Sequence, residues 1–306
     1  MSLFLKRCYN MAVIYLMRYQ NMPVLNLIIT SVSSSVQGAF KKILNKKCAG
    51  CELSTGTMIT FFALMFFVIF SPKDPFSPQV LPYCAIYAVS YATATATFIY
   101  ALNCGSLALT QLVISYSTVI PLIYSIVFCN ETLGFFKIIG LIFLFFSIIV
   151  TYYQKDKTKE NAISLKWILL VVPMFFTNGM CSVASRMQQI EFGGAYDNSF
   201  LLVSLLMAAV ILLVLAIIRE RKNFTTAIKD GALLSGACGV SNGISNYFNL
   251  ICLATIPNSI YYPVKSASCL ILSGLISIVF FKEKLRPAQY VGMVLGVFAM
   301  IFINIP

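Results

Sequence analysis

The stretch SIVFCNETLGFFKIIGLIFLFFSII, residues 125–149, aligns without gaps with SIVFFKEKLRPAQYVGMVLGVFAMI, residues 277–301. Nine of these 25 positions are identical, against roughly two expected by chance in so apolar a composition. Matched Ile and Phe residues carry little weight in apolar segments. Rarer residue types, Glu131 with Glu283 and Gly140 with Gly292, coincide at the same offset of 152 residues. The chain is therefore predicted to contain an internal duplication.

The composition indicates that both copies lie in a lipid bilayer. Hydrophobic residues make up 59% of the chain and charged residues 10%, and the mean hydropathy is +0.86. Apolar runs of about 17 to 25 residues match a hydrocarbon core of about 30 Å. They predict an all-α integral membrane protein with ten transmembrane helices, at 22–41, 54–71, 79–102, 106–129, 135–153, 165–185, 198–218, 231–254, 258–281 and 287–305.

The duplication divides the spans into two sets of five. We expect a first five-helix repeat at 22–153, a charged linker at 154–164 and a second repeat at 165–306. Because five is odd, the second repeat must enter the membrane in the opposite orientation, which makes the pair an inverted repeat. Residues 1–21 are expected to be an interfacial extension or the product of an upstream start site, without a signal-peptide cleavage site.

The two repeats also carry a family resemblance. Each closes with a Glu-x-Leu turn and a helix with spaced glycines, NETLGFFKIIG and KEKLRPAQYVGMVLG, and the segments YALNCGSLAL and VIPLIYSIVF precede the first turn. These features resemble EamA-type members of the drug/metabolite transporter superfamily. The resemblance implies a multi-pass cell-membrane carrier with a substrate site near the membrane midplane, between the halves.

The formal net charge of +12 is attributed to the positive-inside bias of membrane loops, and no nucleic-acid partner is expected. Most Lys and Arg residues follow the odd-numbered spans, including Lys41, Lys42, Lys155, Arg219 and Lys282. This count places those loops in the cytosol and both termini outside. Several relatives in the superfamily keep both termini cytosolic, so both orientations stay open.

Polar residues within spans are the candidate substrate-binding groups, because polar groups in lipid must face a partner or a cavity. They concentrate in spans 1, 3, 4, 6, 8 and 9, and SNGISNYFN (241–249) places three Asn residues on one helical face. The predicted substrate-binding residues are Lys265, Tyr262, Asn242, Asn246, Asn249, Gln111, Tyr116, Tyr91 and Gln37.

Lys265 stands inside an apolar span, where an unpaired cation costs about 2.5 to 3.5 kcal/mol on insertion scales. It either snorkels toward the Pro257 end of its helix or faces the cavity and binds an anionic substrate group. The segment YYPVK (261–265) loosely resembles the GALNK segment of nucleotide-sugar carriers, whose lysine is thought to hold phosphate. The sequence therefore predicts a small polar solute that is anionic or zwitterionic.

Other functions are disfavoured by what the sequence does not contain. All ten carboxylates lie in or beside predicted loops and the chain has no histidine, which disfavours a multidrug-cation exporter, a metal site at Cys48 and Cys51, and a membrane enzyme. No nucleotide-binding loop is present, so no cofactor is expected. A cation exporter of the same superfamily and a non-transporting membrane scaffold are the alternatives, and the sequence leaves the oligomeric state open.

Overall fold

A computed structural model of the protein describes residues 23–70, 74–128, 134–152, 164–221, 224–255, 258–283 and 287–303. Over these ranges every regular element is helical, as the sequence predicts. The spans are α1 (Pro23–Lys47), α2 (Glu52–Phe70), α3 (Leu81–Cys104), α4 (Leu107–Tyr116 and Val119–Phe128), α5 (Phe135–Tyr152), α6 (Leu165–Phe192), α7 (Asp197–Glu220), α8 (Phe224–Thr255), α9 (Asn258–Val279) and α10 (Pro287–Ile303). The predicted extension 1–21, Glu131 and nearly all of the predicted linker lie outside the described residues.

Length and apolar composition alone qualify four of the described helices as membrane spans: α2, α3 with the 3₁₀ turn Pro78–Val80 before it, α6 and α7. The helices α1 and α8 are longer than several of these, at 25 and 32 residues, but polar side chains interrupt their apolar surface. A helix that faces a polar cavity on one side need not be apolar all round.

The packing of the helices repeats itself when the two halves are exchanged. Helix α1 packs along α8, and its counterpart α6 packs along α3; α2 packs on α8 as α7 packs on α3. Three further contacts, α2 with α7, α4 with α9 and α5 with α10, join a span to its own counterpart. The arrangement is that of two inverted five-helix repeats related by a pseudo-twofold axis in the membrane plane.

Close packing of α5 on α10 explains the glycines that the two repeats share. Gly140 and Gly292 are both buried, and the Ser147 hydroxyl donates a hydrogen bond of 2.6 Å to the Gly292 carbonyl oxygen. Small residues let two membrane helices approach until such polar contacts form. The motif that revealed the duplication therefore marks the contact between the last spans of the two halves.

The fourth span differs from its prediction as one helix over 106–129, because it breaks at Ser117 and Thr118. Pro121 lacks a backbone N–H, and within a continuous helix its ring would clash with the carbonyl of Ser117, four residues earlier. A 3₁₀-type bond from the Ile120 N–H to the Ser117 carbonyl, 3.1 Å, tightens the chain there instead. The break places polar backbone and hydroxyl groups at membrane depth.

The first span is also longer than predicted and ends at Lys47 instead of residue 41. The sequence prediction stopped at Lys41 and Lys42 because charges usually end a span. Both lysines are buried, and each has a hydrogen-bond acceptor on the protein. The helix continues through them because their charges face other helices and not lipid.

A substitution at Gly239 of α8 would measure how closely the two halves pack. A Cβ atom at Gly239 would lie 2.6 Å from the Ile59 carbonyl oxygen and 2.5 Å from the Phe62 Cβ, whereas one at Gly236 would meet only the Phe62 ring at 3.7 to 3.8 Å. We expect Gly239→Ala to destabilise the protein by about 1–3 kcal/mol through overpacking. Gly236→Ala should be neutral or slightly stabilising because Ala favours the helix. Thermal unfolding in detergent checks both variants; equal melting temperatures would contradict the packing described.

Candidate functional site: a polar cavity between the halves

A cavity of about 300 Å³ lies where the two halves meet. Its walls come from α1, α3, α4, α6, α8 and α9, the six spans in which the sequence concentrates polar residues, and from the first turns of α7. Seven of the nine predicted residues line it: Gln37, Tyr91, Gln111, Asn242, Asn246, Asn249 and Lys265.

The asparagines of α8 form a hydrogen-bonded row along one wall. Asn246 donates from Nδ2 to Oδ1 of Asn242, 2.5 Å away, since residues four apart face each other on a helix. Asn242 in turn donates to the Tyr91 hydroxyl at 2.8 Å, which ties α8 to α3. The row fixes the direction of each amide and so presents donors and acceptors in a set order.

Lys265 extends from α9 to the same wall. Its Nζ donates to Oδ1 of Asn249 at 2.8 Å, and both residues line the cavity. The ammonium group is therefore held beside the α8 amides in the interior of the protein. This placement favours the cavity-facing interpretation of Lys265 over snorkelling along the lipid surface.

Serine and cysteine contacts hold α1, α8 and α9 together behind this wall. The hydroxyls of Ser34 and Ser245 lie 2.6 Å apart, and the Cys269 thiol donates to the Ser31 carbonyl oxygen at 3.7 Å. Such small side chains allow close helix approach. They fix the depth of Asn249 and Lys265 relative to α1.

A second cavity lysine, Lys41, was not among the predicted residues. It is only 7% exposed, lines the cavity, and donates from Nζ to Oε1 of Gln37 at 3.0 Å. Its ammonium lies 5.0 Å from the centre of the Phe98 ring, a cation–π contact. A signal was present in the sequence, since Ser34, Gln37 and Lys41 recur at the spacing of one helical face.

The cavity wall also contains a carboxylate, which belongs to a residue beside a turn, where the sequence places all the acidic residues. Asp197 begins α7 and lines the cavity. Its Oδ2 accepts a hydrogen bond of 3.4 Å from Gln189 of α6. Asp197 belongs to a turn in sequence, but the fold directs its side chain toward the end of the cavity nearest that turn.

Tyr116 is not among the residues that line the cavity in the described structure, and its role in substrate binding stays a prediction. Tyr116 is 3% exposed and packs with Leu112 and Leu270. Its hydroxyl is hydrogen-bonded to Ser147 of α5. The side chain follows the face of α4 that packs on α5 and α10, so its polar group is satisfied between helices. The side chain of Tyr262 lies outside the described part of the structure.

A polar cluster closes the molecule at the end where α1 terminates. The Glu283 carboxylate, in the link from α9 to α10, forms an ion pair with Lys42 and accepts hydrogen bonds from the Ser277 hydroxyl and the Leu107 N–H. An anion at the first turn of α4 is also favoured by the helix dipole. One carboxylate thus joins α1, α4 and α9 beyond the cavity.

The cavity extends much closer to the opposite end of the molecule. Its lining includes Gln189 and Asp197, which flank the α6–α7 turn. At the closed end the lining stops at Lys41 and Phe98, each six residues before the end of its helix. The contacts at the open end are peripheral, such as Asp74 Oδ2 accepting from the Asn198 amide at 2.8 Å.

Cys48 and Cys51, the C-x-x-C pair, lie between α1 and α2. Both are buried beside Ala227 and Met58, and burial raises the pKa of each thiol. Thiolate is the form that binds metal or reacts, so this environment favours the protonated, inert form. The pair packs as a small apolar cluster.

Comparisons with known proteins agree with this architecture. One solved crystal structure is similar over 89% of this chain and 97% of its own, with a TM-score of 0.53 and 11% sequence identity. At that identity the similarity shows the fold alone. Comparison with curated proteins gives no match.

The helices, the inverted duplication and the polar cavity between the halves define a multi-pass membrane transport protein. The sequence matches the EamA-like transporter family over residues 21–153 and again over 165–305, and the chain belongs to that family. The resemblance seen in the sequence is confirmed, and the family is one of transporters and not of enzymes.

Glu283 gives a stability test of the closing cluster. We expect Glu283→Gln to lower the melting temperature, because breaking a fully buried pair from one side costs about 3–5 kcal/mol and this pair is largely buried, with side-chain exposures of 9% for Lys42 and 15% for Glu283. Glu191→Gln is the matched control: Glu191 accepts a hydrogen bond from Tyr83 at an exposed position, where charged contacts contribute about 0–1 kcal/mol. The test is thermal unfolding of both variants in detergent. If Glu191→Gln lowered the melting temperature as much as Glu283→Gln, the role of Glu283 in closing this end would be contradicted.

Proposed function

We propose that the protein carries a small polar metabolite, anionic or zwitterionic, across the plasma membrane by alternating access. The observation that supports this most directly is the position of Lys265, a cation held by Asn249 in the wall of the polar cavity between the halves. Burying a cation at membrane depth opposes folding. Binding of a negatively charged group that enters the cavity would offset that cost.

The cavity suits a small solute. Its volume of about 300 Å³ is at the lower end of the range of about 300 to 1,000 Å³ for small-molecule sites. Tyr91 and the α8 amides supply neutral hydrogen-bonding groups beside Lys265. A negative group on the substrate would be placed at Lys265, with its hydroxyl or amide groups along the α8 row.

Alternating access follows from the duplicated architecture. Two halves with the same fold can exchange conformations, which opens the cavity first to one side and then to the other. The described conformation is closed at the Lys42–Glu283 cluster. The links at that end carry most of the basic residues, so the positive-inside rule assigns the closed end to the cytosol and the open end to the exterior.

Asp197 supports one alternative, an exporter of organic cations. Its carboxylate lines the cavity near the open end, where it would attract a cation or the amino group of a zwitterion. Lys41 and Lys265 in the same cavity oppose a simple cation, because like charges repel it. Asp197→Asn separates the two functions: it should abolish export of an organic cation but leave transport of a pure anion unchanged.

The first experiment is a thermal-shift screen of the purified protein against amino acids, nucleotide sugars, phosphorylated metabolites, carboxylates and vitamins. A ligand that binds the folded state stabilises it by mass action, about 2.7 kcal/mol at a concentration of 100 times Kd. A hit is then followed as saturable uptake in liposomes. If no solute of the panel gives a shift or saturable flux, the proposal of a metabolite carrier is wrong.

Lys265→Met tests the role of the cation. Methionine keeps the length and apolar character of the side chain, so expression and melting temperature should be retained while transport of an anionic hit falls at least tenfold. Lys166→Met is the matched control, because Lys166 is exposed at the start of α6. Unchanged affinity of the Lys265→Met variant for a negatively charged substrate would remove Lys265 from recognition.

Asn246→Leu tests the amide row. Leucine removes the donor to Asn242 and the polar surface of Asn246 in the cavity, so flux should fall while insertion is retained. The loss of one neutral hydrogen bond contributes about 0.5–1.5 kcal/mol, or roughly three- to tenfold in affinity. Thr93→Val on the outer face of α3, where the hydroxyl bonds only to its own helix, should leave kinetics unchanged. Equal kinetics for wild type and Asn246→Leu would contradict the assignment.

A further inference from the structure

Lys41 and Lys42 are adjacent in sequence and both buried, yet their surroundings differ. Lys42 forms an ion pair with Glu283. Lys41 has the amide oxygen of Gln37 and the ring of Phe98 as neighbours, and no carboxylate pairs with it among the residues that the structure describes. Its ammonium lines the substrate cavity. A buried ammonium without a counter-ion is destabilising by several kcal/mol, so the cavity contains a positive charge that an anion from outside the protein would neutralise.

Lys41 and Lys265 lie at different depths. The Ser34–Ser245 hydrogen bond sets α1 and α8 at the same level. From there Asn249, which binds Lys265, is four residues toward the open end, and Gln37, which binds Lys41, is three residues toward the closed end. At 1.5 Å per residue the backbone positions of Gln37 and Asn249 are roughly 10 Å apart along the membrane normal, and each residue holds one of the two ammonium groups.

We propose that Lys41 forms a second anion subsite and that the substrate is a small organic dianion held between Lys41 and Lys265. This inference rests on the proposed carrier function and specifies its substrate class. For an ammonium separation equal to the backbone offset of roughly 10 Å and ammonium–carboxylate contacts of about 2.8 Å at each end, the facing oxygens of the two anionic groups lie roughly 4–5 Å apart. A short dicarboxylate has that separation, and the polar groups of α1 and α8 line the space between.

The lining carries a net charge of +1, but its two positive charges lie at separate depths. Lys41 and Lys265 contribute two positive charges to the lining and Asp197 one negative charge. Asp197 lies beyond Lys265, near the open end, and accepts from Gln189. The deeper part of the cavity, between the two lysines, therefore has a positive potential at both of its ends, which a monoanion neutralises only at one.

The test compares dicarboxylates with partners that differ in one charge. Purified full-length protein in detergent is titrated with succinate, glutarate and adipate and with their monoamides, by calorimetry and thermal shift. We expect at least one dicarboxylate to bind wild type at least tenfold more tightly than its monoamide. Lys41→Met should abolish that preference by weakening dicarboxylate binding at least tenfold, with monoamide binding unchanged. Lys47→Met, an exposed lysine on the same helix, should leave both unchanged.

The outcomes separate this inference from the proposed function. If no dicarboxylate exceeds its monoamide in wild type while Lys265→Met still abolishes binding of monoanions, the second subsite is wrong and the carrier proposal stands. If neither class binds, both proposals fail for carboxylates. Tighter binding of 4-aminobutyrate than of glutarate, insensitive to Lys41→Met, would instead identify a zwitterion between Lys265 and Asp197. If Lys41→Met does not fold, Lys41→Gln replaces it, and the wild-type comparison decides by itself.

Discussion

Hydrocarbon offers no hydrogen-bond partner to a polar side chain, and the arrangement of these helices follows from that constraint. The polar faces of α1 and α8 meet each other through Ser34 and Ser245, and the asparagine row of α8 meets Tyr91 of α3. The outer surfaces of α5 and α7 expose apolar side chains such as Phe145 and Ile218 to lipid. Polar side chains, which are unfavourable in contact with lipid, are therefore concentrated around the cavity.

The scaffold is pseudo-symmetric, but its charges are not. The most extensive contacts between spans are reproduced when the two halves are exchanged. Lys265 has Val113 as its counterpart at the offset of 152 residues that relates the two copies of the closing motif. Symmetric packing allows the two halves to exchange conformations, whereas a substrate with its own chemistry needs an asymmetric site. Duplication accounts for the movement of the protein, and later divergence of single residues accounts for its selectivity.

The sequence was sufficient for the fold because two signals of different origin agreed. Apolar run length depends on membrane thickness, and the repeat offset depends on the history of the chain. The apolar runs gave ten spans and the repeat offset divided them into two sets of five, and the described structure has this arrangement. The break in α4 was missed although Pro121 indicates it. Hydropathy is averaged over many residues, and it does not take into account the backbone N–H that a proline lacks.

The cavity residues were predictable where polarity and helical spacing coincided, as in Asn242, Asn246 and Asn249. Tyr116 does not line the cavity because a buried Tyr on a polar span can satisfy its hydroxyl equally well between helices, here at Ser147. Asp197 was missed because a turn residue can reach a cavity only through the geometry of the turn. These distinctions depend on the angles at which the helices pack against each other. A single sequence does not specify those angles.

Lys41 and Lys42 show how one turn of helix can connect recognition with closure. Consecutive residues on an α-helix point about 100° apart, so Lys41 faces the cavity while Lys42 faces Glu283 and the first turn of α4. In the proposed mechanism, a bound anion contacts Lys41 and the Glu283 carboxylate contacts Lys42. The backbone positions of these two lysines are about 1.5 Å apart along the axis of α1. Any shift of α1 that improves one contact moves the other. Occupancy of the cavity and the strength of the closing ion pair are then coupled through the rigid turn between them, without a separate relay.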